Sequence, residues 1–450
     1  MRSYKYLILL ILLIFIIQPY LFAQSNMSAR SIALSGAFST SSRGANTIGW
    51  NPANLGYNDN PNFSWKFLIF PFVPTANIEI SNNSISSHWL NNEFFTGKFL
   101  DNQDKARLLD YFPETGFEAA PIVNIDIASF SFGSWAFSLS AETISNVQLP
   151  KDLFQFMFYG NKFNHPIDLS STNLESQTLA TITVYHGWQL EIGALEKYIK
   201  QLNLGVGLKY LGAGTYINIE EMDASVNFTR DQAIVDGKAL VTGAAGGHGL
   251  ALDIGASAQV NERLYTSYSL HNLGGKINWG SYNLGVFDQK FANAEEDKKG
   301  DLIQGEFAIH SIIDKNDFGN ADSLIEEGIE ADTTYFIDKY SSSYPAYMNI
   351  GAEYRAGQNL KLLFNYQQFF RAQLAFSTAP RVSLGSEYIF LSAIPIRAGF
   401  SLGGKDHFRW GFGSGLNLKH YTFDFGFSQI GGMFNRAKGF RFTITSMLLL

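Results

Sequence analysis

Two segments of this sequence have compositions that could bind an ion or a phosphate group. Residues 243–249 read Gly-Ala-Ala-Gly-Gly-His-Gly, a run rich enough in glycine to suggest a phosphate cradle. The run lacks the Gly-Lys-Ser/Thr ending of such a cradle, and it leads into a strand pattern where a phosphate loop leads into a helix. We therefore predict that residues 243–249 form a flexible loop.

The second segment is acidic. Residues 311–343 carry eight Asp or Glu residues and two Lys residues, and Asp314 opens a stretch that begins like a calcium loop. Phe318 and Ile325 occupy the fifth and twelfth positions of that stretch, where a calcium loop needs oxygen ligands. We predict a solvated surface loop over residues 311–343. Weak binding of calcium, or of divalent ions that bridge to lipopolysaccharide, is an open alternative.

The eight histidines are dispersed, and none has metal-ligand spacing such as His-Glu-x-x-His. His186 and His271 fall at strand-end positions of the pattern described below, where an interfacial histidine needs no special role. No Ser and His pairing stands out as a nucleophile and its base. We therefore expect no metal site, no cofactor and no enzymatic activity.

The N-terminus has the organisation of a secretory signal peptide. Arg2 and Lys5 precede an apolar run over residues 6–17, and a small-residue cleavage site follows before Gln24. We predict that residues 1–23 are removed on export. The alternative is a retained N-terminal anchor, although the apolar run is short for a membrane span.

Composition narrows the class of protein further. The chain is 46% hydrophobic and 15% aromatic, yet beyond residue 24 no stretch approaches the roughly 20 apolar residues that a spanning helix requires. It contains no cysteine, which excludes disulfides, thiolate metal sites and lipoprotein anchoring. The net charge of −7 becomes −9 once Arg2 and Lys5 leave, so nucleic acid is not an expected partner.

From residue 63 onward, apolar residues alternate with small or polar ones in runs of about eight to ten. In residues 202–210, leucine, valine and tyrosine side chains share one face, while Asn203 and Lys209 lie on the other. Further runs are joined by turns, as in the hairpin at Gly133 and Ser134. The other predicted strands are residues 250–260, 264–270, 348–355, 360–369, 382–388, 396–402, 408–412, 421–427 and 440–445. We predict about 14 strands, within a range of 12 to 16.

Alternation alone does not show whether the strands face water or lipid, because a soluble sheet with one face in water gives the same pattern. On one face of successive strands, aromatic residues and leucine occupy positions where a soluble sheet would carry Lys and Glu. An export signal also precedes the strands. In lipid only a closed barrel pairs every backbone group of a β-protein. We predict an all-β transmembrane antiparallel β-barrel over residues 61–450 in the outer membrane of a Gram-negative bacterium, with residues 311–343 as an extracellular loop. A periplasmic sandwich or propeller is the alternative.

Several segments resemble the FadL-type outer-membrane proteins, a group that includes hydrocarbon channels and the PorV-like proteins of Bacteroidota, and the sequence most resembles an uncharacterised Bacteroidota branch. The resembling segments are residues 29–38, 49–56, 247–256, 344–354 and 394–400. The most diagnostic element is Asn51-Pro52-Ala53. The resemblance implies a 14-stranded barrel whose N-terminal segment, residues 24–60, folds back into the lumen as a hatch. The chain departs from barrels that end on an aromatic residue, because it ends in Leu450; Phe440 or Phe442 would serve the barrel-assembly machinery instead.

The hatch motif comprises Asn51, Pro52 and Ala53 together with Arg30 and Gly36. Asn favours the N-cap of a helix and Pro favours its first position, so a short helical turn is expected at Asn51. A rigid plug and a moving gate are both open. On the strand pattern, charged and polar residues of both signs face the lumen, where a hatch would pair them. These are Asn203, Lys209, Asp253, Gln259, Glu353, Arg355, Arg381, Glu387, Arg397, Arg409 and Asp424.

The resemblance implies passive transport of small hydrophobic compounds across the outer membrane. The alternative is a PorV-like barrel that transports nothing and binds a protein partner, such as secretion cargo, at its extracellular loops. Expected partners are outer-membrane lipid, lipopolysaccharide and the barrel-assembly machinery, together with either a hydrophobic ligand or a secreted protein. A ligand-sized apolar cleft beside the hatch favours transport, whereas a fully packed lumen favours the protein-binding alternative.

Overall fold

The computed structural model describes residues 27–68, 73–94, 96–97, 99–160, 165–191, 193–287, 300–314 and 329–450. The predicted signal peptide, residues 1–23, lies outside this part of the chain. Among the described residues, no helix is long and apolar enough to cross a membrane.

In the described residues, nineteen β-strands join in one antiparallel sheet. They are β1 (Phe63–Phe67), β2 (Thr75–Asn82), β3 (Phe117–Phe132), β4 (Trp135–Leu149), β5 (Ile167–Asp168), β6 (Asn173–Leu190), β7 (Gln201–Phe228), β8 (Gln232–Gln259), β9 (Leu264–Trp279), β10 (Leu302–Asp314), β11 (Ile329–Phe336), β12 (Tyr340–Ser343), β13 (Tyr347–Arg355), β14 (Leu360–Phe369), β15 (Arg381–Phe390), β16 (Ile394–Gly403), β17 (Phe408–Asn417), β18 (Tyr421–Ile430) and β19 (Gly439–Leu449).

The sheet closes into a barrel because β1 and β2 pair with β3 on one side and with the last strand, β19, on the other. β1 and β2 are therefore two halves of one interrupted strand, and β12 and β13 share the neighbour β9 in the same way. β5, β10 and β11 pair only with β7, β8 and one another, away from the barrel seam. The described residues thus form a closed barrel of 14 antiparallel strands, which confirms the predicted fold class.

Period-2 alternation sorts side chains between the two faces of the barrel wall. On β7 and β8, Leu208 and Leu250 are more than half exposed on the outside, while Asn203, Lys209 and Asp253 are buried on the inside. The outer face is apolar along strand after strand, and in the described part of the chain the ladders run all the way round the barrel. This combination is what a lipid bilayer demands of a spanning β-protein, and it is the architecture of outer-membrane barrels.

The two ends of the barrel differ in the length of their connections. Short turns such as residues 133–134, 260–263 and 356–359 lie at one end, which we assign to the periplasm, and longer connections lie at the other. β7 and β8 have 28 residues each and continue far beyond the barrel at the long-loop end, where they pair with each other and β8 also pairs with β10. At about 3.3 Å per residue, each would span roughly 90 Å.

Two sequence interpretations change as a result. Residues 243–249 are not a flexible loop but part of β8, since their small side chains allow close pairing with β7, β9 and β10. Residues 311–343 are not one continuous loop either, because they contain the end of β10, all of β11 and all of β12. Pairing with β8 and β9 extends the sheet through these strands. Asp314 ends β10, and residues 315–328 lie outside the described part of the chain.

Short helices cover the extracellular mouth. They are α1 (Ser87–Trp89), a π-helical turn (Leu90–Phe94), α2 (Asn102–Asp110), α3 (Lys151–Tyr159) and a 3-10 turn (Phe434–Arg436). Another 3-10 turn (Gly193–Lys197) lies between β6 and β7. Phe112 of the α2 side stacks on Phe154 of α3 with ring centroids 4.3 Å apart, and Phe156 stacks on Phe228 at the tip of β7.

Residues 27–62 precede the barrel and lie inside it. They form a helical turn (Ala29–Ala33) and two 3-10 turns (Gly44–Thr47 and Pro52–Gly56), with almost every side chain up to Tyr57 buried. We call residues 27–60 the hatch. A segment so short buries little against itself, so the barrel wall supplies most of its contacts.

Candidate functional site

Glycines of the barrel wall make room for the hatch backbone. Gly399, Gly411 and Gly426 lie on β16, β17 and β18 beside the helical turn of the hatch, and a Cβ added at any of them would collide with hatch backbone atoms. Gly205 on β7 does the same for Pro52 and Ala53. The hatch therefore packs backbone against backbone, which only glycine permits.

Asn51 fixes the second half of the hatch. Its side-chain carbonyl accepts a hydrogen bond from the Ala53 N–H at 2.9 Å, which makes Asn51 the N-cap of the Pro52–Gly56 turn. Its amide nitrogen donates to the carbonyls of Ala256 and Tyr268 at 3.1 and 3.3 Å, so one side chain connects the hatch to β8 and β9.

Asp253 is the centre of a buried polar cluster beneath this turn. Its carboxylate lies 2.7 Å from His271 Nδ1 and 2.8 Å from Lys209 Nζ, and it accepts hydrogen bonds from the Asn272 N–H and the Tyr185 hydroxyl. All these groups are buried. The interpretation of His271 as an interfacial residue is therefore wrong, because its side chain points into the lumen and meets a carboxylate supplied by β8.

The Asp253 cluster holds the hatch at Gly49 and Trp50. The Trp50 carbonyl lies 3.0 Å from His271 Nε2 and accepts a hydrogen bond from Ser269 at 2.9 Å. The Tyr347 hydroxyl donates to the Gly49 carbonyl at 2.9 Å, while the Gly49 N–H donates to Tyr185. Four barrel side chains thus satisfy the backbone of two hatch residues, which anchors this part of the hatch.

A second charged cluster holds the start of the hatch. Arg30 pairs with Glu387 at 3.1 Å, and Glu387 also pairs with Arg397 at 2.6 Å. Arg397 is fully buried and reaches Asp424 as well. Removing any member would leave a charge in the lumen without its partner.

A third cluster closes the periplasmic end of the hatch. Asp59 pairs with Arg43 at 2.6 Å and with Arg355 at 3.1 Å, and the two guanidinium groups stack on Tyr57 and Tyr265. Burial alone would raise the pKa of Asp59, but the attraction of Arg43 and Arg355 holds it below its ordinary value. Burial raises the pKa of Tyr57 to about 12. Arg355 also pairs with Glu353 at 2.8 Å.

A small cavity lies between the hatch and the extracellular mouth. One side is aromatic and apolar, formed by Trp50 of the hatch with Tyr347, Phe369 and Phe376. The opposite side is an ion-pair network formed by Glu79, Arg381, Asp406, Arg409 and Arg441. The cavity volume is about 60 Å³. The lumen is closed in this structure.

The connection between β14 and β15, residues 370–380, forms a lid over this cavity. Leu374 and Ala375 are buried against Ala120, Ile122 and Ile144 on the opposite wall. Leu374 adopts a φ of +54°, a left-handed conformation that costs about 1–2 kcal/mol for a residue with a Cβ. Burying a leucine side chain returns about 1.5–3 kcal/mol, so the net stabilisation of the lid by Leu374 is small.

The barrel wall is interrupted beside the start of the hatch. On β19, Ser446 pairs with Phe67 and Phe442 pairs with Ile78. Ten residues separate Phe67 from Ile78 along the chain, whereas only three separate Phe442 from Ser446. Seven residues are therefore extra, and residues 443–445 of β19 fall outside both ladders. The Ala29 N–H of the hatch donates to Thr445 at 3.0 Å, at this interruption.

Most of the lumen-facing residues predicted from the sequence are brought together in four groups. Lys209 and Asp253 join one cluster and Arg397, Glu387 and Asp424 join another, while Arg409 and Arg381 line the cavity. Glu353 and Arg355 close the periplasmic end, and Asn203 lies beside Gly56, whose carbonyl accepts a hydrogen bond from Gln201. Gly36 lies beside Ser383 with φ +92°, and Gln259 ends β8.

Sequence reasoning missed other lumen residues. Lys66 and Asp126 form a fully buried ion pair at the interrupted wall, and Glu79 and Arg441 pair at the cavity. Alternation along β3 and β19 would have found Asp126 and Arg441, since Ile125 and Phe442 flank them on the outer face. Among the described residues, no cluster of histidine and carboxylate side chains has the arrangement of a metal site.

Two overlapping matches to one protein family, described as a family of unknown function (DUF5723), cover residues 59–243 and 229–426. Together they span most of the chain. This protein belongs to the DUF5723 family. The matched residues contain the barrel from the end of the hatch to β18, so the family is defined here by its barrel. No curated protein matches this DUF5723 chain.

Solved structures similar to the DUF5723 protein include a Pseudomonas aeruginosa FadL homologue, with a TM-score of 0.47 and 10% identity over 95% of this chain and 99% of that one. The CymD monoaromatic hydrocarbon channel has a TM-score of 0.46 and 9% identity over 94% and 98%. The P. putida toluene transporter TodX has a TM-score of 0.46 and 10% identity over 94% and 99%.

Proposed function

We propose that this DUF5723 protein is a gated conduit that admits small hydrophobic compounds across the outer membrane. The observation that carries the proposal is the gap in pairing between the first strand and β19, from Phe67 on one side to Ile78 on the other, directly beside the first residues of the hatch. A continuous strand would seal the wall at that height. A break next to the plug gives an apolar guest a lateral way from the lumen towards lipid.

The route has three parts in this proposal. A guest enters past the lid, occupies an enlarged form of the cavity against Trp50 and Phe369, and leaves beside Ala29 at the interrupted wall. Residues 27–29, ahead of the Arg30 ion pair, are the part that moves in this proposal. They meet the wall at the gap through the hydrogen bonds of Ala29 with Thr445 and of Met27 with Asn77, whereas Gly49 and Trp50 are held by four barrel side chains. The closed lumen requires such movement before anything passes.

The test is mass spectrometry of small apolar molecules that co-purify with the detergent-extracted protein. A variant lacking residues 24–57 serves as the comparison. The proposal expects a discrete ligand with the intact protein and its loss or replacement in the truncated one. Bulk membrane lipid alone in both samples would remove the support for a ligand path beside the hatch.

A second candidate is a barrel that binds a protein partner. The observation that favours it is the extension of β7 and β8 beyond the barrel, where β8 pairs with both β7 and β10 and the three strands form a tall sheet. Spanning strands need only about 9–11 residues, so most of this extension is available for contact. Trimming residues 220–240 tests it: the partner hypothesis expects co-purifying protein to be lost while hydrophobic uptake persists.

A further inference from the structure

The lid places apolar side chains where a ligand would enter. Leu374 and Ala375 cross the mouth from β14 and β15 and lie against Ala120, Ile122 and Ile144 of β3 and β4. All five side chains are less than one tenth exposed. The barrel wall at the extracellular mouth therefore carries an apolar pocket, and Leu374 and Ala375 of the lid fill it.

Few polar contacts secure this arrangement. The Leu374 N–H donates to Glu175 at 2.7 Å, and the Gln373 amide donates to the Ser343 carbonyl at 2.8 Å. Gln373 and Phe376 close a tight turn on each other, with Leu374 in its left-handed conformation. The lid is thus a small turn held mainly by the pocket that it fills.

The pocket is continuous with the cavity above the hatch. Phe376 of the lid stacks on Phe369 with ring centroids 4.5 Å apart, and Phe369 lies 5.0 Å from Tyr347. Ala120, Ile122 and Ala375 line the cavity as well. Moving the lid outwards would join the pocket to the aromatic side of the cavity.

We propose that the pocket formed by Ala120, Ile122, Ile144 and Phe369 is an entry subsite for a small uncharged apolar ligand, and that Leu374 and Ala375 occupy it in competition with that ligand. The inference rests on the proposed function, since it names the first binding step of the same path. The class of ligand follows from the four side chains that form the pocket, three aliphatic and one aromatic, none of which carries a charge. The lid side chains indicate its minimum size.

The experiment measures binding of the fluorescent apolar probe N-phenyl-1-naphthylamine to the purified full-length protein. Leu374→Ala removes the competing side chain and should lower the Kd of the probe about three- to tenfold. Ala120→Phe fills the pocket from the wall side and should abolish saturable binding, also when combined with Leu374→Ala. Leu362→Ala, on the lipid-facing surface, is the matched control and should leave the Kd unchanged.

An unchanged or higher Kd in Leu374→Ala would overturn the inference, because the lid would then be part of the binding wall and not a competitor. Tighter binding that survives Ala120→Phe would overturn it too, since the probe would sit elsewhere. Probe uptake by cells separates this from the proposed function. Tighter binding without any uptake would support the subsite and contradict the proposed conduit. Uptake with unchanged binding would support the conduit and contradict the subsite. Heat-dependent mobility in SDS gels verifies that each variant is folded.

Discussion

At the scale of single residues, the hatch depends on charges that are buried and paired. Asp253 gathers Lys209, His271 and Tyr185 under the Gly49–Trp50 backbone. The period-2 pattern predicts that Lys209 and Asp253 face the lumen, because the residues on either side of each are apolar and face outwards. It does not predict His271 as their partner, since this contact depends on the register of β8 against β9 and on a hatch that arrives from elsewhere in the chain.

Asp253→Asn should destabilise the protein strongly, because it leaves the buried Lys209 charge without its carboxylate. Breaking a buried ion pair costs about 3–5 kcal/mol. The free energy of unfolding in urea, measured in detergent, should fall by about this amount. Glu262→Gln in the exposed turn after β8 is the control and should change it by less than about 0.5 kcal/mol. Equal stability of the two variants would contradict the role of Asp253.

The periplasmic end of the hatch should loosen in acid. Because the pKa of Asp59 is lower in the folded protein than its ordinary value of 3.8, the carboxylate stabilises the fold above that value. This contribution is lost as the pH falls below about 4, when protonation releases Arg43 and Arg355. Hydrogen exchange of residues 43–60 should therefore accelerate below that pH in the native protein. In Asp59→Asn the exchange should already be fast at neutral pH and show no such step.

At the scale of elements, the sequence predicts where strands occur but not how long they are. Residues 202–210 alternate strictly and are recognised at once. Beyond residue 211 the alternation in β7 weakens. Residues 243–249 of β8 are mostly Gly and Ala, so they show no alternation between apolar and polar side chains. Their strand conformation comes from pairing with β9 and β10 on the far side. The lid is equally invisible in the sequence, because Leu374 is buried by strands that lie across the barrel.

The docking of the hatch on β7 makes a matched pair of glycine substitutions informative. Gly205→Ala should displace the Pro52–Gly56 turn, because its Cβ would collide with Ala53, and forcing a side chain into such a site costs about 1–3 kcal/mol. Gly212→Ala on the same strand should be tolerated, since no atom lies nearer than 3.4 Å to its Cβ. Limited proteolysis of the hatch should distinguish them; identical digestion patterns would show that the turn does not pack here.

At the scale of the whole molecule, the predicted barrel of about 14 strands is confirmed, and the sequence reaches it because lipid imposes one pattern on every spanning strand. The interior follows no such rule: the interrupted first strand, the lid and the closed cavity each depend on contacts between distant parts of the chain. The signal peptide, the relationship to a Bacteroidota branch, the PorV-like alternative and the expected lipid and assembly partners stay predictions.

The central claim is that apolar compounds leave the lumen where the wall is interrupted, and deleting residues 68–74 tests it directly. The deletion removes the seven residues that β19 does not match, and should turn β1 and β2 into one continuous strand. The measurement is uptake of N-phenyl-1-naphthylamine by cells that carry equal amounts of heat-modifiable, folded native or deleted protein. We expect the native protein to accelerate uptake severalfold over cells without it, and the deletion to return uptake to that background. Uptake that is equally fast with the sealed wall would contradict the lateral route.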